Sequence, residues 1–333
     1  MPAPLASPST QPSSAPAALL ATGPAAGPAT NWSAKLALAA ADIKLSHSVF
    51  ALPFALLGAF LARPAGQPWS TFGGQLALVV LCMVLARTWA MLVNRIADAK
   101  YDIANPRTVR RAVASGALRS RDAILLAALC VFGFVGAASV FGFAYANWWP
   151  LILSVPVLFW LASYSFAKRF TALCHLLLGT ALAISPLSAA IAVHPPALSL
   201  SPFATPALYC ISGMVMLWVA GFDVLYALAD VDFDKRTGLF SLPARLGVRN
   251  AVWLSRLMHA GAIACLIAAA MLDVRLLPIF PFAIAIAAAC LVMEHLVLIR
   301  RGLAGLPLAF FTLNGIVSLV LGIAGVASIL LHE

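Results

Sequence analysis

The stretch LALVVLCMVLARTWAMLVNRIADAKYD, residues 76–102, joins an apolar run to an acidic end. The apolar part belongs to a run over residues 74–93, and about 20 such residues are needed for a helix to cross the hydrocarbon core of a bilayer. Backbone groups in lipid must satisfy one another, so a run of this length predicts a transmembrane helix. Carboxylates at the membrane edge are costly and usually mark a functional site.

The rest of the chain repeats this pattern. Its 333 residues are 63% hydrophobic and 10% charged, and the mean hydropathy is +0.99, which excludes a water-facing surface. None of the runs alternates apolar and polar residues as the strands of a membrane barrel do. The sequence predicts an all-α membrane protein with about nine transmembrane helices in the lipid bilayer, the other eight runs lying near 44–63, 122–144, 148–166, 172–193, 207–229, 251–271, 276–299 and 306–331.

The N-terminal segment differs in composition from these runs. Its first 30 or so residues are rich in Ala, Pro, Ser, Thr and Gly and carry no charge, so they cannot bury enough apolar surface to fold. The first basic residue is Lys35, so a cleavable signal peptide is not expected. We predict a disordered tail over residues 1–33 and one polytopic domain over residues 34–333.

The basic residues indicate an orientation. Most of the 21 Lys and Arg residues lie in the N-terminal segment and in the loops after the second, fourth, sixth and eighth runs. The positive-inside rule then predicts a multi-pass protein of the cell (inner) membrane, with a cytoplasmic N-terminus and an external C-terminus. This distribution also accounts for the net charge of +10 without a nucleic-acid partner.

Two acidic stripes end two of the predicted helices. Asn94, Asp98 and Asp102 recur every four residues, so they share one face of a helix. Asp230 and Asp234 follow Asp223 by seven and eleven residues, which also places them on one face, whereas Asp232 points to the opposite side and is excluded from the site.

The chemistry of these stripes suggests a magnesium and diphosphate site. Aligned carboxylates repel one another unless a cation intervenes, and oxygen ligands suit Mg²⁺. A basic loop follows each stripe, Asn-Pro-Arg-Thr-Val-Arg-Arg at residues 105–111 and Lys-Arg-Thr-Gly at residues 235–238, and such side chains match phosphate oxygens. Solvated helix ends are the alternative for the acids, and anchoring to anionic lipid is the alternative for the bases.

With these motifs, the chain resembles the UbiA family of intramembrane prenyltransferases over most of residues 44–325. The stripes are similar to the family's motifs N-x-x-x-D-x-x-x-D and D-x-x-Y-A-x-x-D-x-x-x-D, and Asn-Pro-Arg-Thr and Tyr-Ser-Phe-Ala-Lys-Arg-Phe-Thr at residues 164–171 add to the match. The resemblance implies helices around a central cavity, Mg²⁺ as cofactor, and transfer of a polyprenyl group from a polyprenyl diphosphate to an aromatic acceptor.

The resemblance also implies roles for individual residues. Metal ligands would be Asp98, Asp102, Asp223, Asp230 and Asp234, all but Asp223 also being catalytic. Diphosphate-binding residues would be Asn94, Arg107, Arg111 and Lys168. Tyr164, Lys44 and His47 are candidates for the acceptor site or cavity wall, although Tyr164 could instead be an interfacial tyrosine and His47 a helix cap.

The acceptor is the least determined part of this interpretation. The Asn-Pro-Arg-Thr and Tyr-Ser-Phe-Ala-Lys-Arg-Phe-Thr segments are similar to 4-hydroxybenzoate polyprenyltransferases of ubiquinone biosynthesis. Residues 44–54 and His175 resemble a divergent branch, some of which is thought to prenylate 1,4-dihydroxy-6-naphthoate for menaquinone. A secondary transporter is a distant alternative, because duplicated helices with intramembrane acids also occur in that class.

Overall fold

The computed structural model describes residues 31–42, 50–198 and 205–333. These residues form helices joined by short turns, with no strand in the described ranges. In chain order the helices are α1 Trp32–Asp42, α2 Leu52–Ala62, α3 Trp69–Ala104, α4 Ser120–Tyr145, α5 Trp149–Ala167, α6 Cys174–Val193, α7 Pro206–Tyr226, α8 Val231–Thr237, α9 Leu242–Leu246, α10 Val248–Leu272, α11 Phe280–Arg301 and α12 Asn314–His332.

The predicted fold class is confirmed. In the described ranges, 8 helical segments are long and apolar enough to cross a membrane, and they correspond to eight of the nine predicted runs. The first run, 44–63, is described only from residue 50 onward, and there it forms the shorter apolar helix α2. The chain is therefore a multi-pass α-helical membrane protein.

Helix α1 was not predicted from the sequence. It begins at Trp32, inside the last residues of the predicted tail, and the Asn31 side chain caps it by accepting a hydrogen bond from the Ala34 N–H at 2.8 Å. Lys35 then pairs with Asp122 at the start of α4, at 3.0 Å. The remaining residues of the predicted tail, 1–30, lie outside the described ranges.

The centre of the bundle is α7, which packs most extensively against α6 and α10. Trp218 of α7 is fully buried, and its ring contacts the rings of Phe54 and Phe222. Backbones approach closely where Gly179 of α6 faces the Met216 carbonyl of α7, because a Cβ at Gly179 would collide with it. Such small-residue contacts are a common way for helices to associate in membranes.

A polar contact fixes the start of α12 within this core. The Trp218 indole Nε1 donates a hydrogen bond to Asn314 Oδ1 at 2.6 Å, and Asn314 Nδ2 donates to the Ala309 carbonyl at 3.0 Å. Ala309 belongs to a π-helical turn, Leu308–Leu313. This turn places Phe310 against Tyr226, with ring centroids 4.3 Å apart. The core network thereby shapes one wall of the site described below.

Helix α3 is long enough to reach beyond the bilayer. Its 36 residues span about 54 Å at 1.5 Å per residue, compared with about 30 Å for the hydrocarbon core. The acidic end of α3 lies at the same end of the bundle as the segment after α7, because Arg107 contacts Asp230. The opposite end holds the C-terminus, where Glu333 pairs with Arg63.

This arrangement makes a prediction about topology. Epitope tags inserted at Arg110 and at Lys235 should both be protected in intact cells, whereas a tag after Glu333 should be accessible to an added antibody, because the basic loops share one end of the bundle. Accessibility before and after permeabilisation provides the measurement. Finding the Arg110 and Lys235 tags on opposite faces of the membrane would contradict the fold itself, and finding all three reversed would contradict only the orientation.

Candidate active site

A cavity of about 580 Å³, here called the polar cavity, opens between the ends of α3, α5 and α7 and the start of α6. Its lining includes every predicted site residue that lies within the described ranges, namely Asn94, Asp98, Asp102, Arg107, Arg111, Tyr164, Lys168, Asp223, Asp230 and Asp234. Lys44 and His47 lie outside those ranges. The residues chosen from their spacing in the sequence therefore line one cavity. The roles assigned to them stay predictions.

The first stripe occupies one uninterrupted helix, as its spacing predicts. Asn94 Nδ2 donates a hydrogen bond to Asp98 Oδ2 at 2.9 Å, one turn further along α3. Arg111 Nη1 lies 2.8 and 2.9 Å from the two oxygens of Asp102. Arg169, at the end of α5, contacts Asp98 Oδ1 at 3.3 Å. Both carboxylates of the stripe are therefore paired with arginines from other segments.

The second stripe does not lie on one continuous helix, and this part of the prediction is wrong. Helix α7 ends at Tyr226, a 3₁₀ turn covers Ala227–Asp230, and α8 begins at Val231. A 3₁₀ turn advances about 120° per residue, compared with about 100° in an α-helix, so simple helical offsets do not apply. Asp230 and Asp234 nevertheless line the polar cavity, and Asp232 is exposed outside it.

Arg107, in the loop that follows the first stripe, contacts the second stripe. Its Nε donates to Asp230 Oδ1 at 2.9 Å, and its Nη1 donates to the Tyr226 hydroxyl at 2.8 Å. Asn105 Nδ2 donates to the same Asp230 oxygen at 3.2 Å. Burial lowers the pKa of the Arg107 guanidinium, but the hydrogen bond to Asp230 and the negative charge of that carboxylate raise it more, so the pKa lies above its ordinary value. Arg107 therefore stays charged.

Lys168 and Asp234 form a second connection between distant segments. Lys168 Nζ, just after α5, lies 2.8 Å from Asp234 Oδ1 in an ion pair. Asp234 is 0% exposed, and its Oδ2 has no hydrogen-bond partner among the described residues. That second oxygen is suited to contact a further cation.

Asp223 has a partner that the sequence did not indicate. His175, at the start of α6, lies with Nδ1 2.7 Å from Asp223 Oδ2, and its Nε2 accepts the Leu242 N–H at 3.3 Å. Because Nε2 is an acceptor, Nδ1 carries the proton and donates to the carboxylate. His175 and Asp223 are 48 residues apart, so no local spacing could have paired them.

Asp42, another residue that was not predicted, holds the basic loop in place from α1. Its Oδ2 accepts a hydrogen bond from Arg95 Nε at 3.0 Å, and its Oδ1 accepts the Ala112 N–H at 3.0 Å. Ala112 follows Arg111 directly, so Asp42 positions the loop that carries Arg107, Arg110 and Arg111, which line the polar cavity. The sequence signal was weak, because Asp42 is a single acid outside the two stripes.

The polar cavity fits a magnesium ion bound together with a phosphate ligand. Within the part of the chain that the structure describes, no three Asp, Glu, His or Cys side chains converge into a metal-binding cage. Mg²⁺ commonly binds through one or two carboxylates, several waters and substrate phosphates, so it does not require such a cage. Asp234 Oδ2, which has no hydrogen-bond partner among the described residues, and the carboxylate oxygens of both stripes fit this mode of binding.

A second, apolar cavity of about 190 Å³ lies between α3, α4, α5 and α6. We call it the apolar cavity, because apolar side chains such as Val79, Phe134, Val157 and Leu161 make up most of its wall. It adjoins the polar cavity, and the two share the lining residues Arg87, Met91, Tyr164, Leu178 and Leu182. A ligand with a charged head and an apolar chain could occupy both cavities at once.

Known proteins resemble this chain in sequence and in fold. Over part of its length the chain is 30% identical to the 4-hydroxybenzoate octaprenyltransferases of Methylococcus capsulatus, over 201 residues covering 60% of this chain and 63% of that protein, and of Nitrosomonas europaea, over 198 residues covering 56% and 62%. The matched region therefore spans less than two thirds of these curated relatives.

Solved structures give a longer match. The apo structure of a UbiA homolog from Aeropyrum pernix K1 superposes with a TM-score of 0.73 at 32% identity, covering 86% of this chain and 98% of that one. A UbiA homolog from Archaeoglobus fulgidus, solved bound to DMAPP and Mg²⁺, shares the fold, with a TM-score of 0.65 at 16% identity over 89% of this chain and 99% of that one.

The family model for UbiA prenyltransferases matches residues 51–316, which include both acidic stripes, the basic loops and the π-helical turn. This range is most of the chain and contains both cavities apart from their edges at Ala41, Asp42 and Phe50. On the combined evidence of the family match, the fold and the acidic motifs, this chain belongs to the UbiA prenyltransferase family.

Proposed function

We propose that this protein transfers a polyprenyl group from a polyprenyl diphosphate to an aromatic hydroxy acid, 4-hydroxybenzoate, in quinone biosynthesis. The observation that carries the proposal is the polar cavity, which is lined by six carboxylates and several basic side chains and joins an apolar cavity inside a membrane bundle. Relatives described as 4-hydroxybenzoate octaprenyltransferases support this acceptor. A transporter would be expected to place its ionisable residues nearer the bilayer midplane at broken helices.

Binding of the diphosphate would change the partners of the charged side chains. Arg107, Arg111 and Lys168 now contact Asp230, Asp102 and Asp234, and each could turn from a carboxylate to a phosphate oxygen. The freed carboxylates of the two stripes would then hold the metal. When bound, Mg²⁺ supplies positive charge that offsets the diphosphate and assists its departure.

The remaining chemistry follows from charge and position. The allylic C–O bond breaks, and its electron pair leaves with the diphosphate, which the basic side chains stabilise in a site of low dielectric constant. The resulting allylic cation is attacked by a ring carbon next to the acceptor hydroxyl, and the ring then loses a proton. Holding ring and cation in contact is itself a large contribution to the rate. The apolar cavity would hold the prenyl chain and exclude water.

One prediction about activity concerns the second stripe. Asp230→Asn or Asp234→Asn should lower the rate of prenyl transfer on the order of 100- to 1000-fold, because each removes a preorganised electrostatic contact in the polar cavity. Asp232→Asn is the matched control, since Asp232 is exposed outside the cavity, and it should retain activity within a few-fold. Rates would be measured across a magnesium titration, after each variant is shown to insert normally. Equal loss in all three would contradict the assignment.

Another prediction about activity concerns the acceptor. Membranes containing the protein, supplied with one polyprenyl diphosphate and several aromatic acids, should yield prenylated 4-hydroxybenzoate, detected by mass spectrometry. Membranes with Asp234→Asn provide the background. Turnover of 1,4-dihydroxy-6-naphthoate alone would make the acceptor wrong and leave the reaction intact. Absence of any prenylated aromatic product would contradict the proposed function.

A further inference from the structure

Helix α1 lies outside residues 51–316, the region that the family model matches, and yet it contacts the candidate site. Its buried residue Ala39 packs with Leu92 of α3 and with Ala112 of the loop between α3 and α4. An ion pair joins the first turn of α1 to the start of α4. Asp42, the last residue of the helix, lines the polar cavity. Helix α1 is therefore held against the bundle at both of its ends.

The Asp42 carboxylate holds two separate segments, one with each oxygen. Its Oδ1 accepts the Ala112 N–H at 3.0 Å, and its Oδ2 accepts a hydrogen bond from Arg95 Nε, also at 3.0 Å. Arg95 Nη2 donates in addition to the main-chain carbonyl of Asp42 at 3.3 Å. Both side chains of this ion pair are largely buried, with exposed fractions of 7% for Arg95 and 12% for Asp42. One charged group thus fixes the loop relative to α3.

Arg95 extends the effect of Asp42 to the first stripe. Its Nη1 donates a hydrogen bond to Asn94 Oδ1 at 2.9 Å, and Asn94 Nδ2 donates to Asp98 Oδ2 at 2.9 Å. A guanidinium only donates and a carboxylate only accepts, so these two partners allow the Asn94 amide a single orientation. The amide oxygen is bound to Arg95, and the amide nitrogen carries two N–H groups, of which Asp98 uses one. The other is left for an oxygen of a ligand in the polar cavity.

The two segments held by Asp42 are the two halves of the proposed diphosphate site. The first stripe contributes Asn94 and Asp98, and the loop contributes Arg107 and Arg111. A phosphate that contacts both halves requires them at a fixed separation, and a displacement of about 1 Å can cost on the order of 100-fold in rate. Loss of the Asp42 carboxylate would leave a largely buried guanidinium without its ion-pair partner, which is unfavourable and frees the Asn94 amide to turn.

We propose that Asp42 is a positioning residue for the prenyl diphosphate and its Mg²⁺, because its carboxylate aligns the first stripe with the loop that carries the phosphate-matching arginines. This inference rests on the proposed function and adds a residue of α1 to the site. Asp42 acts through Arg95 and through the Ala112 N–H, without contacting the substrate itself. Helix α1 is then a functional part of the protein, although it lies outside the matched region.

Calorimetric titration of the purified protein with geranyl thiodiphosphate and Mg²⁺ measures this positioning without catalysis. Asp42→Asn retains the size of the side chain but removes the charge that holds Arg95, so Kd should rise on the order of 10- to 100-fold, as for other residues that orient ligand groups. Asp42→Ser retains an acceptor for the Ala112 N–H and provides a second variant without the charge. Asp42→Glu restores the carboxylate and should recover part of the affinity.

A matched control breaks the other ion pair of α1. Lys35 and Asp122 line neither cavity, so Lys35→Gln should change Kd by less than about threefold. The Tm of each variant shows whether a loss of binding merely follows a loss of stability. In steady-state kinetics, Asp42→Asn should raise KM for the prenyl diphosphate, while KM for 4-hydroxybenzoate stays within about threefold of wild type.

A double-mutant cycle distinguishes positioning from direct contact with the ligand. Asn94→Ala removes the amide that Arg95 orients, so Asp42→Asn should weaken binding by a smaller factor in the Asn94→Ala background than in wild type. If Asp42 were itself a ligand to the metal or the phosphate, the two factors would simply multiply. That result would overturn the positioning role.

Two further outcomes would overturn the inference. These are an unchanged Kd in both Asp42→Asn and Asp42→Ser, and an equal loss of binding in Lys35→Gln. Normal prenyl transfer by Asp42→Asn, with an unchanged KM for the prenyl diphosphate, would contradict the inference and leave the proposed function standing. Binding of geranyl thiodiphosphate that depends on Asp42, without any prenylated aromatic product from wild type, would support the inference and contradict the proposed function.

Discussion

Pairing of carboxylates with basic side chains from distant segments holds the functional end of the bundle together. A carboxylate inside a membrane protein is stable only when a cation or hydrogen-bond donor lies against it. Arg107 pairs with Asp230, Lys168 with Asp234, and His175 with Asp223. Each pair joins two helices or a helix and a loop. The polar cavity is the space that these pairs enclose.

The same pairs explain how such a site could bind a highly charged ligand within a membrane. A diphosphate and a divalent cation can replace contacts that already exist, so loading the site would not leave a buried charge alone.

Much of the fold and part of the site could be predicted from the sequence. Apolar length identified the membrane helices, since lipid permits few alternatives to a helix. The four-residue spacing of Asn94, Asp98 and Asp102 gave the correct face of α3, because that helix is continuous. The corresponding argument for Asp230 and Asp234 reached the right cavity despite a wrong premise, because α7 ends at Tyr226 and a 3₁₀ turn follows.

Other features depend on tertiary contacts that spacing does not encode. His175 meets Asp223 across 48 residues, and Asp42 meets Arg95 across 53. The meeting of the polar and apolar cavities beside Arg87 and Tyr164 is likewise a tertiary feature that no spacing in the sequence encodes. Helix α1 was not predicted, because it is too short to span a bilayer and begins inside a segment of low complexity.

The central claim is that the paired carboxylates and bases form a site for a prenyl diphosphate bound together with Mg²⁺. Its most direct test is calorimetric titration of the purified protein with an unreactive geranyl thiodiphosphate, with Mg²⁺ present or with the metal removed by a chelator. We expect tight binding with Mg²⁺ and binding weaker on the order of 100-fold without it, because Mg²⁺ held by the carboxylates would supply positive charge that offsets the diphosphate. Equal affinity under both conditions would contradict a site in which the diphosphate and Mg²⁺ bind together.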